Sequence, residues 1–206
     1  MKKVNLLMIS LVLMLCGCSY KANYTAGYVY EHIANISPTI DGKALIYTEI
    51  KEDDKVYSQK PSSLTGGATT LNIKVGEILK NIALEVFSKK FKDGAYHSNS
   101  LQHVENYAIV IQPEILNYDY RYNSLKNLGF AITPEAKIDL RVFLYDNQGK
   151  LISEKKYESE YLSGGSYMVN FSPHEKVNKA VHEVLYNLLI KVTNDVEYTL
   201  LGSTKK

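Results

Sequence analysis

Cysteine is almost missing from this chain. Among 206 residues there are two, Cys16 and Cys18, and both sit at the end of an apolar run that begins near Val4. If that run is removed as a leader, at most one thiol remains, so the folded part has no internal disulfide and must rely on packing. Net charge is also lacking. The chain has 24 Lys+Arg against 22 Asp+Glu, and loss of Lys2 and Lys3 with the leader leaves 22 of each sign. A neutral chain without a basic cluster interleaved with aromatics argues against nucleic acid as a partner. After the leader no apolar run is long enough to span a bilayer. Catalytic frames are missing too. Gly164-Gly165-Ser166 lacks the Gly-x-Ser-x-Gly frame of a nucleophile elbow, and Gly66-Gly67 lacks the Lys-Ser/Thr ending of a phosphate loop. The five histidines (His32, His97, His103, His174, His182) are dispersed. His97 and His103 stand six apart in an expected loop without supporting cysteine or carboxylates, which argues against a metal site. No cofactor is expected.

What is present begins with the leader. Met1-Lys2-Lys3 forms a positive start, and Leu6 to Leu15 forms an apolar stretch too short to cross a membrane comfortably. Leu15-Cys16-Gly17-Cys18 then fits a bacterial lipobox. Leu15 is the branched apolar residue at −3, Gly17 the small residue at −1, and Cys18 the residue whose thiol takes the diacylglyceryl group. Cys16 does not fit, because Leu15 would occupy the −1 place. The expectation is a signal peptide over 1–17 and a protein anchored through acylated Cys18. Ser19 stands where enteric bacteria place Asp for inner-membrane retention. The outer membrane, with the domain facing the periplasm, is therefore the expected location.

Residues 18–42 contain Tyr20, Tyr24, Tyr28 and Tyr30 among small and polar residues, with no sustained period. They are expected to form a tether, either near the headgroups or laid loosely against the domain. Residues 43–198 are expected to form a single domain, followed by a tail over 199–206. Lys43 to Ile50 has strand character, Glu52-Asp53-Asp54 a charged turn, and Lys55 to Ser58 a short return strand. From Lys74 to Lys92 the period is helical, with Val75, Ile78, Leu79, Ile82 and Val86 on one face and Gly94 placed as a left-handed stop. Tyr107 to Ile111 and Ile115 to Tyr122 flank Pro113, which suggests an edge or a bulge. Leu116, Tyr118, Tyr120 and Tyr122 are expected on one face. Ala136, Ile138, Leu140, Val142 and Leu144 alternate with Lys137, Asp139, Arg141, Phe143 and Tyr145. Asp146-Asn147-Gln148-Gly149 turns the chain back into Lys150 to Tyr161. Ser172-Pro173-His174-Glu175 starts a last helix with a capping box and Pro at its first position. Its stripe is Val177, Ala180, Val181, Val184, Leu185, Leu188 and Val192.

This order, βαβββα, predicts an α+β two-layer sandwich: an antiparallel sheet of about four strands with two helices packed on one face. The opposite face then presents Arg141, Phe143 and Tyr145 as a candidate docking surface.

The chain resembles small outer-membrane lipoproteins of the YajG type. The likeness rests on the lipobox at Cys18, the Thr70-Leu71 lead into a helix stopped by Gly94, the strand Ala136 to Tyr145, the Asp-Asn-Gln-Gly turn and the helix from Pro173. It covers about Leu71 to Val196. The same order also resembles the lipopolysaccharide-assembly lipoprotein that plugs an outer-membrane barrel. The tyrosine-rich segment and the strand near Lys55 to Tyr57 depart from both. Neither family implies catalytic residues. The functional expectation is a non-enzymatic, membrane-anchored lipoprotein that binds or scaffolds an envelope component, protein or lipid. The alternative is an accessory that carries a lipid or glycolipid between helices and sheet.

Overall fold

The computed structural model describes residues 19–64, 70–126, 131–166 and 173–203. Two long helices organise it. Helix α3 (Val75–Lys90) and helix α4 (Pro173–Ser203) each bury the apolar stripe anticipated from their 3.6-residue period. Two shorter helices, α1 (Tyr30–Ala34) and α2 (Ile50–Asp53), precede them. The helix α3 ends where Phe91 turns extended, so Gly94, expected as its left-handed stop, instead takes φ 81° in the turn just before the next strand.

The sheet differs from expectation in number and direction. The described residues form two sheets, not one of about four strands. The strands are β1 (Ser19–Ala22), β2 (Ala44–Tyr47), β3 (Tyr57–Gln59), β4 (Thr70–Ile73), β5 (Ala95–Ser98), β6 (Ile109–Asn123), β7 (Thr133–Tyr145), β8 (Leu151–Glu158) and β9 (Leu162–Ser163). A small sheet has the order β1-β4-β3, and a six-stranded sheet has the order β5-β2-β6-β7-β8 with β9 also on β7. The larger sheet is mixed, because β2 runs parallel to both β5 and β6. The cause is the connection. Between β2 and β5 the chain passes through α3, and such a crossover returns it in the same direction. Charged Glu52-Asp53, expected as a turn, belongs to α2, so β3 does not return onto β2 but pairs with β4.

Pro113 lies inside β6, opposite Val142. It is tolerated because β2 pairs with β6 only as far as Ile111, so the prolyl nitrogen falls where one side of β6 has no strand partner. A register shift between Ile115 and Asn117 then inverts the alternation. Ile115 and Tyr118 face the core together, and Leu116, expected beside the tyrosines, is exposed. Tyr118, Tyr120 and Tyr122 do share a face, and all three are buried. Along that open edge, the carbonyls of Ile115, Tyr118 and Tyr120 accept from Lys55 Nζ (2.9 Å), Gln59 Nε2 (3.3 Å) and the Ser62 amide (2.9 Å). Those contacts satisfy groups a bare edge would leave open.

The main core cluster joins α3 and α4 to the inner face of the large sheet and takes in Leu71 and Ile73 from the small one. Close backbone approach is required at two glycines. A Cβ on Gly76 would stand 1.8 Å from the Glu52 carbonyl oxygen, and one on Gly164 would stand 1.8 Å from that of Lys176. Gly164 therefore lets the first turn of α4 seat directly against the loop after β9.

Candidate functional site

Leu15, Gly17 and Cys18 lie outside the described residues, as do Gly66-Gly67 and Ser172. Description starts at Ser19, and Ser19 is already inside β1. It pairs in register with Thr70, and the Asn72 side-chain amide donates to Ser19 Oγ at 2.7 Å. The segment read as a tether is thus built into the fold. Ala22, Val29, Ile33 and Ile40 are buried in the main core.

The polar part of that seating comes from α4. His174, Asn178, His182 and Tyr186 follow each other at four-residue intervals, which places them on one helix face. Each meets the segment in turn. The Tyr20 ring stacks on His174, with centroids 4.5 Å apart. Asn178 Nδ2 donates to the Asn23 carbonyl at 2.8 Å. The Thr25 amide donates to His182 Nε2 at 2.9 Å, while Tyr24 and Tyr28 pack around the same ring at 5.7 and 5.1 Å. Tyr186 stacks on His32 at 5.3 Å, and its hydroxyl donates to the His32 carbonyl at 3.2 Å. On the other side, the Tyr24 hydroxyl donates to Glu85 of α3.

His182 has a defined protonation state here. Nε2 accepts from Thr25, so the proton sits on Nδ1, which donates to the Asn178 carbonyl at 2.8 Å. Burial pushes its pKa down to about 4, against the raising effect of that carbonyl. In sequence, His174 and His182 are simply two histidines two helical turns apart. Their i, i+4 pattern with Asn178 and Tyr186 was a signal that polarity concealed.

The expected docking residues do come together. Arg141, Phe143 and Tyr145 share the face of β7 that points away from the helices. Arg141 is held from both neighbouring strands, by Glu114 at 2.9 Å and Glu154 at 3.9 Å, and lies 5.1 Å from the Phe143 ring centroid. The Tyr145 hydroxyl donates to Gln112 Oε1 at 2.8 Å. Burial and the nearby Glu114 push that hydroxyl's pKa up. This face pairs its own charges across strands.

A further polar cluster had no signal in the sequence. His97 belongs to β5 and not to a loop, and it meets Thr48 and Asp53. Thr48 Oγ1 donates to Asp53 Oδ1 at 2.5 Å, so His97 Nε2–H donates to Thr48 at 2.6 Å. Asn99 and Lys80 add bonds to Asp53 Oδ2 at 2.9 and 3.2 Å. Burial opposes ionisation of Asp53, but Asn99, Thr48 and Lys80 outweigh it and hold the carboxyl below its usual range. Burial lowers His97 more than Asp53 raises it. This resembles a nucleophile–base–acid arrangement only in composition. Asp53 shares the Nε2 side of the ring, and Thr48 is 2% exposed, so its hydroxyl is closed to substrate. The cluster clasps α2 to the ends of β2 and β5. His103 is separate, exposed and 3.3 Å from Glu105. Among the described residues no group of three or more His, Cys, Asp or Glu is placed to hold a metal.

Two recesses on the surface have largely charged linings. One of about 400 Å³ is lined by Lys155, Tyr157, Lys191 and Asp195 among others, and one of about 250 Å³ by Asp53, Asp54, Lys74, Glu77 and Lys80 with Val56. Among the described residues no helix is long and apolar enough to cross a membrane.

No protein-family model and no curated protein matches the chain. Solved structures with a similar arrangement include a Helicobacter pylori protein described as a homologue of neuraminyllactose-binding hemagglutinin. It is 8% identical, with 83% of this chain and 94% of that one covered at a TM-score of 0.45. A predicted lipoprotein from Caulobacter crescentus is 12% identical over 63% of this chain and 85% of its own, at 0.42. A minor lipoprotein from Acinetobacter baumannii is 15% identical over 79% and 95%, at 0.37. At such scores these likenesses carry no argument for what this chain does.

Proposed function

We propose that this chain is a non-enzymatic lipoprotein, anchored through acylated Cys18, that holds or scaffolds another envelope component close to the membrane surface. The observation that supports it most is the join between anchor and fold. The lipobox cysteine directly precedes a strand paired in register with β4. An acylated Cys18 would therefore carry the folded domain at the bilayer and not on a long free arm. Ser19 at the next position favours the outer membrane in an enteric-type envelope, with the domain on the periplasmic side. Within this reading, the YajG-type likeness is one of element order.

The partner surface best suited to this role is the outer face around Arg141, Phe143 and Tyr145, which offers two aromatic rings beside a positioned guanidinium. The lipid-carriage alternative gains no support from the recesses above, whose linings are largely charged. Two experiments test the proposal. Cys18→Ala should abolish fatty-acid labelling and release the protein from membranes; retention without acylation contradicts the anchor. Crosslinking from intact membranes should capture an envelope component with the parent protein and less of it with Arg141→Ala/Phe143→Ala. Equal capture by that variant removes this face from the proposal.

A further inference from the structure

The anchored end carries a second feature. Ser19 stands opposite Thr70, and the next residue of β4, Leu71, stands opposite Gln59, the last residue of β3. From there the chain runs on beside the end of β6, where the Tyr122 amide donates to Ser63 Oγ at 2.9 Å. It reaches Leu64, whose side chain is wholly exposed (103%). β6 ends next to it at Asn123, whose Oδ1 accepts the amides of Leu125 and Lys126 at 3.1 Å each. That turn holds Leu125 outward, 84% exposed. The first turn of α4 is at the same end, through Tyr20 on His174 and through Gly164, whose amide donates to the Pro134 carbonyl at 3.3 Å. Ser19, Leu64, Leu125 and the start of α4 thus share one end of the molecule. α4 leads away from it, and its rise of about 1.5 Å per residue puts Tyr198 on the order of 37 Å distant.

A single exposed leucine is ordinary. Two of them at the end where the chain enters from a lipidated cysteine are not placed for water alone. One residue reaches at most about 3.6 Å, so an acyl chain on Cys18 holds Ser19 at headgroup depth. Exposed Lys21 and Lys60 belong to the same end, as does half-exposed Lys126, which pairs with Glu135 at 3.2 Å. Glu175 is exposed there as well. We propose that this end is a membrane-docking surface, in which Leu64 and Leu125 enter the headgroup–acyl boundary of the bilayer that holds Cys18. Lysines beside them face lipid phosphates. The inference rests on acylation of Cys18 and adds an orientation: the start of α4 lies toward the bilayer and its end away from it.

The chain has no tryptophan, so one introduced tryptophan is a clean reporter. Full-length mature, acylated Leu64→Trp, Leu125→Trp and Tyr198→Trp are placed in vesicles of phosphatidylethanolamine and phosphatidylglycerol, with and without bromine on the acyl chains. Tyr198 is exposed (81%) and serves as the distant control. Docking predicts blue-shifted emission and bromine quenching at positions 64 and 125, and neither at 198. Positions 64 and 125 no more quenched than 198, in protein that floats with the vesicles, overturns the docking and leaves the anchor standing. Acylated protein that fails to float overturns the anchor and the docking with it. All three sites are exposed, and matching melting curves with the parent establish that each variant is folded.

Discussion

Two parts of this molecule lack a clear apolar period, and they are held in opposite ways. Residues 19–36 are fixed by another element. Side chains of α4 bind their backbone at Asn23, Thr25 and His32, and Ala22, Val29 and Ile33 enter the core. The outer face of β6–β8 is fixed by itself. Arg141, Glu114 and Glu154 bond across strands and stay partly exposed. The first arrangement makes a segment part of the fold. The second leaves a surface whose rearrangement costs the fold little. Under the proposed function, residues 19–36 would hold the anchor and the sheet face would meet a partner.

The contrast can be broken most strongly at Ile33. It is buried at the contact of α1 with the core, so Ile33→Ala should cost about 3 kcal/mol in chemical denaturation of the mature protein. A cost below about 1 kcal/mol would mean that the segment is only loosely laid on. Acid should act next. The folded pKa of His182 is about 4, below the ordinary value of 6.5. Between those values the unfolded chain binds a proton that the folded one does not. Stability from this group is complete above about pH 6.5 and falls as pH drops, by about 2 kcal/mol at pH 5. His97, also lowered, adds a loss of the same sign. His182→Gln should flatten the part due to His182, read as a smaller difference in melting temperature between pH 7 and pH 5. An unchanged pH slope would remove His182 from the account. The smallest effect belongs to the sheet face. Arg141→Ala breaks a half-exposed pair and should cost no more than about 1 kcal/mol. A larger loss would make that face part of the scaffold and weaken its claim as a docking surface.

The long elements were legible in the sequence because burial of one stripe imposes its period. Val75 to Val86 and Val177 to Val192 are buried along the stripes read from the residues, and β7 alternates as written. Three things were not legible. The bulge at Ile115/Asn117 reverses a parity that a linear reading carries forward, so Leu116 does not share the face of Tyr118, Tyr120 and Tyr122. The four-residue strands β1, β4 and β5 are too short to show a period, and the pairing of β5 with β2 depends on where α3 returns the chain. The stripe His174, Asn178, His182, Tyr186 has helical spacing, but its residue types belong equally to a solvated face. The Tyr20 ring and the backbone groups at Asn23, Thr25 and His32 give those residues partners far away in sequence. For the candidate site, Arg141, Phe143 and Tyr145 were placed on one face by alternation alone. The Thr48–Asp53–His97 clasp joins residues up to 49 positions apart and left no trace in the sequence.

The most direct measurement is amide hydrogen exchange of the mature, acylated protein over residues 19–36. Thr25 and Ile33 donate their amides to His182 and to Val29, so both should be protected to a degree comparable with β4. Protection at Thr25 should fall in His182→Ala while that of β7 is kept. Exchange of residues 19–36 at the rate of an unfolded chain in the parent protein would contradict the account, because Cys18 would then hold the domain on a free arm.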